Sequence, residues 1–398
     1  MSDVADSRLL RSTLPFLLLL GCDPATSARD VGPAEIQVDE PVHVVADDDL
    51  AQIMDIRPDA GGRIWVLSAH PPFVRVYDDG GARLAAFGRP GGGPDEFGLA
   101  RSLVPPDHDR EGMGVLDSGR ARILHFSSEG EVVERTTVEA QMPFPWEMQS
   151  AFFGEPFTAW QTPEGILQDV LPAGPLGGGG PWDLWAGRLV LTGDGGETRT
   201  VTDLADVAAI ELPPVNQPPQ PRILAAGPLI DVCPSGEILI HTGAQGELVR
   251  LGLDGSELAR SALDLPLPAN SVETMVTWLT NVSETLDPGP MDTREALRER
   301  SRMVAEMSEP FMEERVPPTN LRCDSEGRAW IQLFDLDHEP RGYAREWVVV
   351  GTEGAVLAHV SFPAGFSPLH FGAERITGIL RDEFGLEVAG WVATPSVP

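Results

Sequence analysis

A chain of 398 residues, 42% of them hydrophobic, carries enough apolar material for a large core and is not a disordered protein. Its formal net charge of −32 repels phosphate backbones and anionic headgroups, which argues against nucleic acid as a partner and leaves the membrane reachable only through an anchor. All 29 basic residues are arginines, so Schiff-base chemistry, lysine general bases and a lysine-bearing phosphate loop are excluded.

Residues 1–22 read MSDVADSRLLRSTLPFLLLLGC, with Arg8 and Arg11 ahead of a short apolar run at 14–20. That run is too short to span a bilayer but suits a signal peptide. Its last four residues, LLGC, resemble a bacterial lipobox, which implies lipidation at Cys22. Residues 23–34 are a polar, aperiodic tether. Two strand-like pieces follow, EIQV and PVHVV, with no hairpin partner nearby. They look like a strand left over to close a ring.

From residue 53 the rhythm is regular, and 42 glycines and 37 prolines suit many tight turns. IMDI, RIWVL, FVRVY and RLAAF are four strands separated by PDAGG, SAHPP and DDGG. Four antiparallel strands with such turns make one propeller blade. A second copy spans 101–137. A third is degenerate: WEMQSAFF and EPFTAW are read as its inner strands, GRLVL and ETRTV as its outer hairpin, and 161–181 as a long loop. The fourth copy, from PLIDVC to ELARSAL, follows the pattern closely.

Residues 270–316 break it. Val272, Met275, Val276 and Leu279 fall on one helical face, with Asn270 and Glu273 at capping-box spacing. Asp292 and Glu295 repeat that spacing before a stripe of Leu297, Met303, Val304 and Met307. The reading is a helical hairpin packed on the ring between copies four and five. Copy five runs from TNLRC to AVLAHVSF. Copy six supplies PLHF, RITGIL and LEVAGWVA and lacks a fourth strand, which the piece at 36–45 would complete. The predicted fold over 35–398 is thus an all-β, six-bladed β-propeller of four-stranded antiparallel blades, closed by an N-terminal strand.

Cys233 and Cys323 end equivalent inner strands of neighbouring copies, in CPSG and CDSEG. Two well-separated cysteines either bridge in an oxidising compartment or stay as buried thiols. Inner strands stand apart near a propeller axis, so buried thiols are the expectation.

The segment FGRPGGGPDEF after the fourth strand resembles a hallmark of bacterial six-bladed β-propeller lipoproteins related to the NHL-repeat group. Asp95 stands where a glycine is common there. The ending RITGILRDEFGLEVAGW is similar to their last repeat, and the likeness covers roughly 35–395. It implies a fold and a cell-envelope location, facing the periplasm or the cell surface, and brings no catalytic residues to transfer. Gly88, Arg89, Gly91, Gly93, Pro94, Glu96 and Phe97 carry this connector. As a phosphate cradle it fails: Pro90 and Pro94 remove N–H donors, Asp95 and Glu96 repel anions, and a strand follows where a helix is needed. Arg89 is placed to pair with Glu96 or Asp95.

Loops between second and third strands and between blades gather at one mouth of a propeller. There the reading places His70, Asp117, His241, Asp335, Asp337 and His338, with Arg89 and His370 near; of these His70, His241, Asp335 and His338 are the ligand or metal candidates. Asp117 suits a loop cap. No G-x-S-x-G elbow, HExxH helix, CxxC pair or dinucleotide fingerprint is present, so no catalytic residue is assigned. The function expected is an envelope-anchored binding module for a small ligand or an envelope protein, without a required cofactor. The alternative is a metal-dependent hydrolase or lyase of the gluconolactonase or amidating-lyase kind, with calcium or zinc at the same mouth.

Overall fold

The computed structural model describes residues 32–38, 42–45, 47, 49–50, 52–106, 111–139, 159–170, 187–193, 195–207, 228–243, 246–286, 294–309, 314–334, 345–381 and 386–398. Cys22, the signal segment, WEMQSAFF, Asp335, Asp337 and His338 lie outside them.

Two short strands come first, β1 (Ala34–Gln37) and β2 (His43–Val44). Blade one is β3 (Ile53–Pro58), β4 (Ile64–Ser68), β5 (Val74–Tyr77) and β6 (Arg83–Phe87). Blade two is β7 (Ala100–Val104), β8 (Met113–Asp117), β9 (Arg122–Phe126) and β10 (Val132–Thr137). Blade three is β11 (Ala159–Thr162), β12 (Gly165–Val170), β13 (Arg188–Thr192) and β14 (Thr198–Asp203), followed by the short helix α1 (Leu204–Val207). Blade four is β15 (Leu229–Val232), β16 (Ile238–His241), β17 (Glu247–Leu251) and β18 (Glu257–Ala262). Helices α2 (Val272–Leu286) and α3 (Arg294–Ser308) intervene. Blade five is β19 (Asn320–Cys323), β20 (Ala329–Gln332), β21 (Glu346–Val350) and β22 (Val356–Ser361). Blade six is β23 (Phe366–Phe371), β24 (Arg375–Arg381) and β25 (Glu387–Ala393), with β2 as its fourth strand.

The chain is therefore a six-bladed β-propeller closed by its N-terminal segment. Closure takes two strands where one was expected. β2 pairs antiparallel with β25 on blade six, through His43 opposite Trp391. β1 instead adds to blade five as a fifth strand, parallel to β22 with Ile36 opposite Val360. The two ring-closing strands thus overlap two adjacent blades.

Alternation of side chains along each strand explains the uninterrupted burial of the inner strands. On β4, Ile64 and Val66 pack against blade six, while Trp65 and Leu67 pack against blade two. Each of the six interfaces holds its own apolar cluster in this way. Strands sandwiched on both faces lose the in–out alternation of a half-exposed sheet.

Polar clamps complete the interfaces. In D-x-x-G-R-x-W, found at 59–65 and 324–330, one buried aspartate binds its own turn and its own blade's tryptophan. Asp324 accepts from Glu326 N–H and Arg328 N–H at 2.9 Å, from Arg328 Nε at 2.7 Å and from Trp330 Nε1 at 2.9 Å. Asp59 does the same with Gly61, Arg63 and Trp65. Other aspartates cross between blades: Asp55 accepts from Leu103 N–H of blade two at 2.8 Å, and Asp231 from Cys323 N–H of blade five at 2.7 Å.

Three sequence expectations are corrected. Blade three begins with β11 and β12, so residues 165–170, assigned to a loop, form a strand. The turn TPEG equals the CPSG turn of blade four; Thr162 Oγ1 donates to Gly165 O at 2.8 Å. The cap of α2 is Ser271, whose Oγ accepts from Thr274 N–H at 3.1 Å, while Asn270 N–H donates to Glu314 O. On α3 the buried face is Leu297, Ser301 and Ala305, and Met303 and Val304 point to solvent, 53% and 38% exposed. Small residues at i and i+4 let the helix approach α2 closely, where Arg298 and Arg302 pair with Glu273. Trp278 of α2 packs on Phe334, beside the second-to-third-strand loop of blade five.

The cysteines are a further correction. Cys233 and Cys323 form a disulfide with their Cα atoms 5.1 Å apart. Their turns are equivalent, but their positions are offset by one. Cys233 occupies the site of Asp59 and Asp324, whereas Cys323 precedes Asp324. Successive strand side chains face opposite ways, so the offset turns Cys233 toward blade five and Cys323 toward blade four. Such a bridge persists in oxidising compartments outside the cytoplasm. Among the described residues no helix is long and apolar enough to cross a membrane.

Candidate functional site

The glycine-rich connector after β6 is a scaffold. Gly88 has φ +87°, and a side chain there would strike Phe97. Phe97, fully buried, packs between Phe73 and Phe126 at the interface of blades one and two. The Glu96 carboxylate folds back into the loop: it accepts from Gly93 N–H at 2.6 Å and lies 2.9 Å from Arg89 Nε. An N–H that would have faced an incoming anion thus already serves an internal carboxylate. The Gly93 bond first holds Glu96 below its ordinary pKa, against desolvation, and the Arg89 charge adds to the lowering.

Blade two grips this loop from the other side. Arg120 donates to Gly93 O and Glu96 O at 2.8 and 2.9 Å, and Arg122 to Pro94 O and Glu96 O at 2.9 and 2.6 Å. Asp117, wholly buried, accepts from Gly98 and Leu99 N–H and from Arg122 Nε. Sequence reasoning missed both arginines, although DSGRAR places two guanidinium groups two residues apart where the turn enters β9.

The candidates His70 and His241 do not meet. His70 is exposed on the second-to-third-strand loop of blade one, held through its backbone by Ser68 Oγ. His241 is 0% exposed, and its Nδ1 accepts from Gly243 N–H at 3.0 Å. Burial pushes its pKa down to about 4, so it is a neutral core imidazole at pH 7. Among the described residues no group of three or more His, Cys, Asp or Glu side chains is placed to hold a metal.

The cavity of interest opens at the opposite mouth. First-to-second-strand turns gather there, and each inner strand delivers its C-terminal end to one axial funnel of about 330 Å³. Arg57, Pro105, Pro163, Pro234, Arg322 and Gly372 enter it, one from each blade. The wall is polar and apolar in patches. Asp231 is held by Trp160 Nε1 at 2.8 Å and by Cys323 N–H, so its carboxylate oxygens are engaged. Arg322 donates from Nε to Leu369 O at 3.0 Å, tying blade five to blade six. Arg57 Nε lies 3.3 Å from Asp55 Oδ2. His370 sits between these arginines; burial first, then the charges of Arg57 and Arg322, push its pKa down to about 3. It is neutral at any ordinary pH.

These features define the class: a six-bladed β-propeller with a mixed polar and apolar axial funnel and a disulfide in the funnel wall. No family model matches the chain, and no curated protein matches it. Among solved structures, a member of the DUF4221 family from Bacteroides vulgatus has a TM-score of 0.50 at 11% identity, covering 91% of this chain and 97% of that one. That likeness shows the fold. A gluconolactonase from Xanthomonas campestris (TM-score 0.45, 12% identity, 92% and 99% covered) and virginiamycin B lyase from Staphylococcus aureus (0.39, 12%, 87% and 82%) are more distant and carry no argument about activity.

Proposed function

We propose that this protein is an extracytoplasmic binding module, anchored to the bacterial envelope by lipid at Cys22, whose small ligand enters the axial funnel. The observation that supports the reading is the convergence of all six inner strands on one cavity, of a size in the range of small-molecule sites at about 300–1,000 Å³. Rings of this kind hold lining residues rigidly, because every blade is braced by two neighbours.

Ser325 lies on the funnel rim and makes none of the Asp324 clamp bonds. Ser325→Trp should fill the entrance without unfolding the ring. In a thermal-shift panel of sugars, sugar acids and amino acids, a true ligand should raise the Tm of the wild type and leave Ser325→Trp unmoved. Equal shifts in both proteins would place binding elsewhere and refute the funnel. For the anchor, Cys22→Ala should move the protein from the membrane pellet to the soluble fraction; an unchanged distribution would rule out lipidation.

A further inference from the structure

We propose that the funnel selects a small monocarboxylate, with Arg57 as the group that receives the carboxylate. The inference rests on the funnel being the binding site and adds the chemistry of what binds there.

Of the charged groups in the wall, Arg57 alone presents unused donors. Asp55 takes its Nε, at 3.3 Å, while Nη1 and Nη2 have no partner among the described residues. Its side chain is 15% exposed, and that exposure is toward the funnel. Asp55 holds the guanidinium in place while serving the backbone N–H of Ile56 and Leu103 at 2.8 Å, so the arginine is oriented by a carboxylate that is itself fixed. A guanidinium with both terminal nitrogens open is matched by the two oxygens of a carboxylate.

The rest of the wall agrees. Arg322 adds a second positive charge, and His370 between them is neutral and adds none. Asp231, the carboxylate in the wall, has its oxygens bonded to Trp160 and Cys323. Pro105, Pro163, Leu369 and Phe371 offer apolar surface to the body of the ligand. Overall charge decides the valence. A surface at −32 repels an approaching anion in proportion to its charge, so a monoanion is admitted at the least cost while a polyphosphate is not.

The test compares benzoate with benzamide, which share a shape and differ in charge, by calorimetric titration of the full chain at fixed ionic strength. Wild type should bind benzoate about tenfold or more tightly than benzamide, the worth of a charge-assisted pair. Arg57→Gln should reduce benzoate to the level of benzamide and leave benzamide unchanged, with Arg57→Lys falling between because it keeps the charge and loses the fork. Circular dichroism of each variant checks the fold, and the wild-type comparison stands even where a variant fails. Equal binding of both probes, abolished by Ser325→Trp, would overturn the carboxylate assignment and leave the funnel standing. Binding of both that ignores Ser325→Trp would sink the funnel as well. Absence of any benzoate binding by the wild type overturns the inference.

Discussion

Asp324 shows how much one side chain holds. It is 1% exposed and accepts four hydrogen bonds, two from its own turn and two from Arg328 Nε and Trp330 Nε1. Removing the acceptor leaves the buried indole N–H of Trp330 without a partner, a loss of about 1–3 kcal/mol for a buried donor, and takes from Arg328 one of its two carboxylates, with Glu326 remaining at 3.2 Å. Asp324→Ala should therefore unfold well below the wild type in thermal melts, and Asp324→Asn, which keeps an acceptor oxygen, should lose less. An Asp324→Ala melt within a degree or two of wild type would show the clamp to be dispensable. The motif was readable, though not singled out: Asp, Arg and Trp recur at the same offsets in PDAGGRIW and CDSEGRAW. Its wiring was not, because the sequence does not say which of several nearby donors a carboxylate meets.

At the scale of elements, strands with Asp-Gly or Ser-Gly turns were legible, and apart from the closing strands β1 and β2 every strand of blades one, two, four, five and six lies where its pattern places it. Blade three was misread because a long glycine- and proline-rich stretch separates β12 from β13 in sequence, so that GILQDV was taken as part of one loop with it. On α3, hydrophobicity pointed to Met303 and Val304 as the packed face. Packing chose Ser301 and Ala305 instead, since helices that approach closely exclude large side chains from the contact. The glycine-rich connector, legible as a crossover, acquired its partners from Arg120 and Arg122 of blade two.

Across the whole molecule, the disulfide ties blade four to blade five around the helical insert, its cysteines separated by 90 positions in sequence. A cross-link of that span restricts the unfolded chain by about 4–5 kcal/mol on the loop-entropy account, and measured values run about 2–5. Cys233→Ala with Cys323→Ala should lower unfolding stability by that order in denaturant titrations. Reductant should lower the wild type likewise and leave the double variant unmoved. Equal stability of wild type and variant under oxidising conditions would show that the blades hold without it. Because both cysteines border the funnel, the same comparison reports whether the bridge also shapes the site.

The sequence by itself determined the repeat, the number of blades, the place of the helical insert and the closure by the N-terminal segment. These follow from local periodicity and turn chemistry, which neighbouring residues encode. Only the tertiary structure decided that β1 and β2 close two different blades, that Cys233 and Cys323 face each other, and that the cavity opens at the mouth of the first-to-second-strand turns. Each of those depends on which way a side chain points across an interface between residues tens or hundreds apart. A one-residue offset, invisible as a pattern, reverses it.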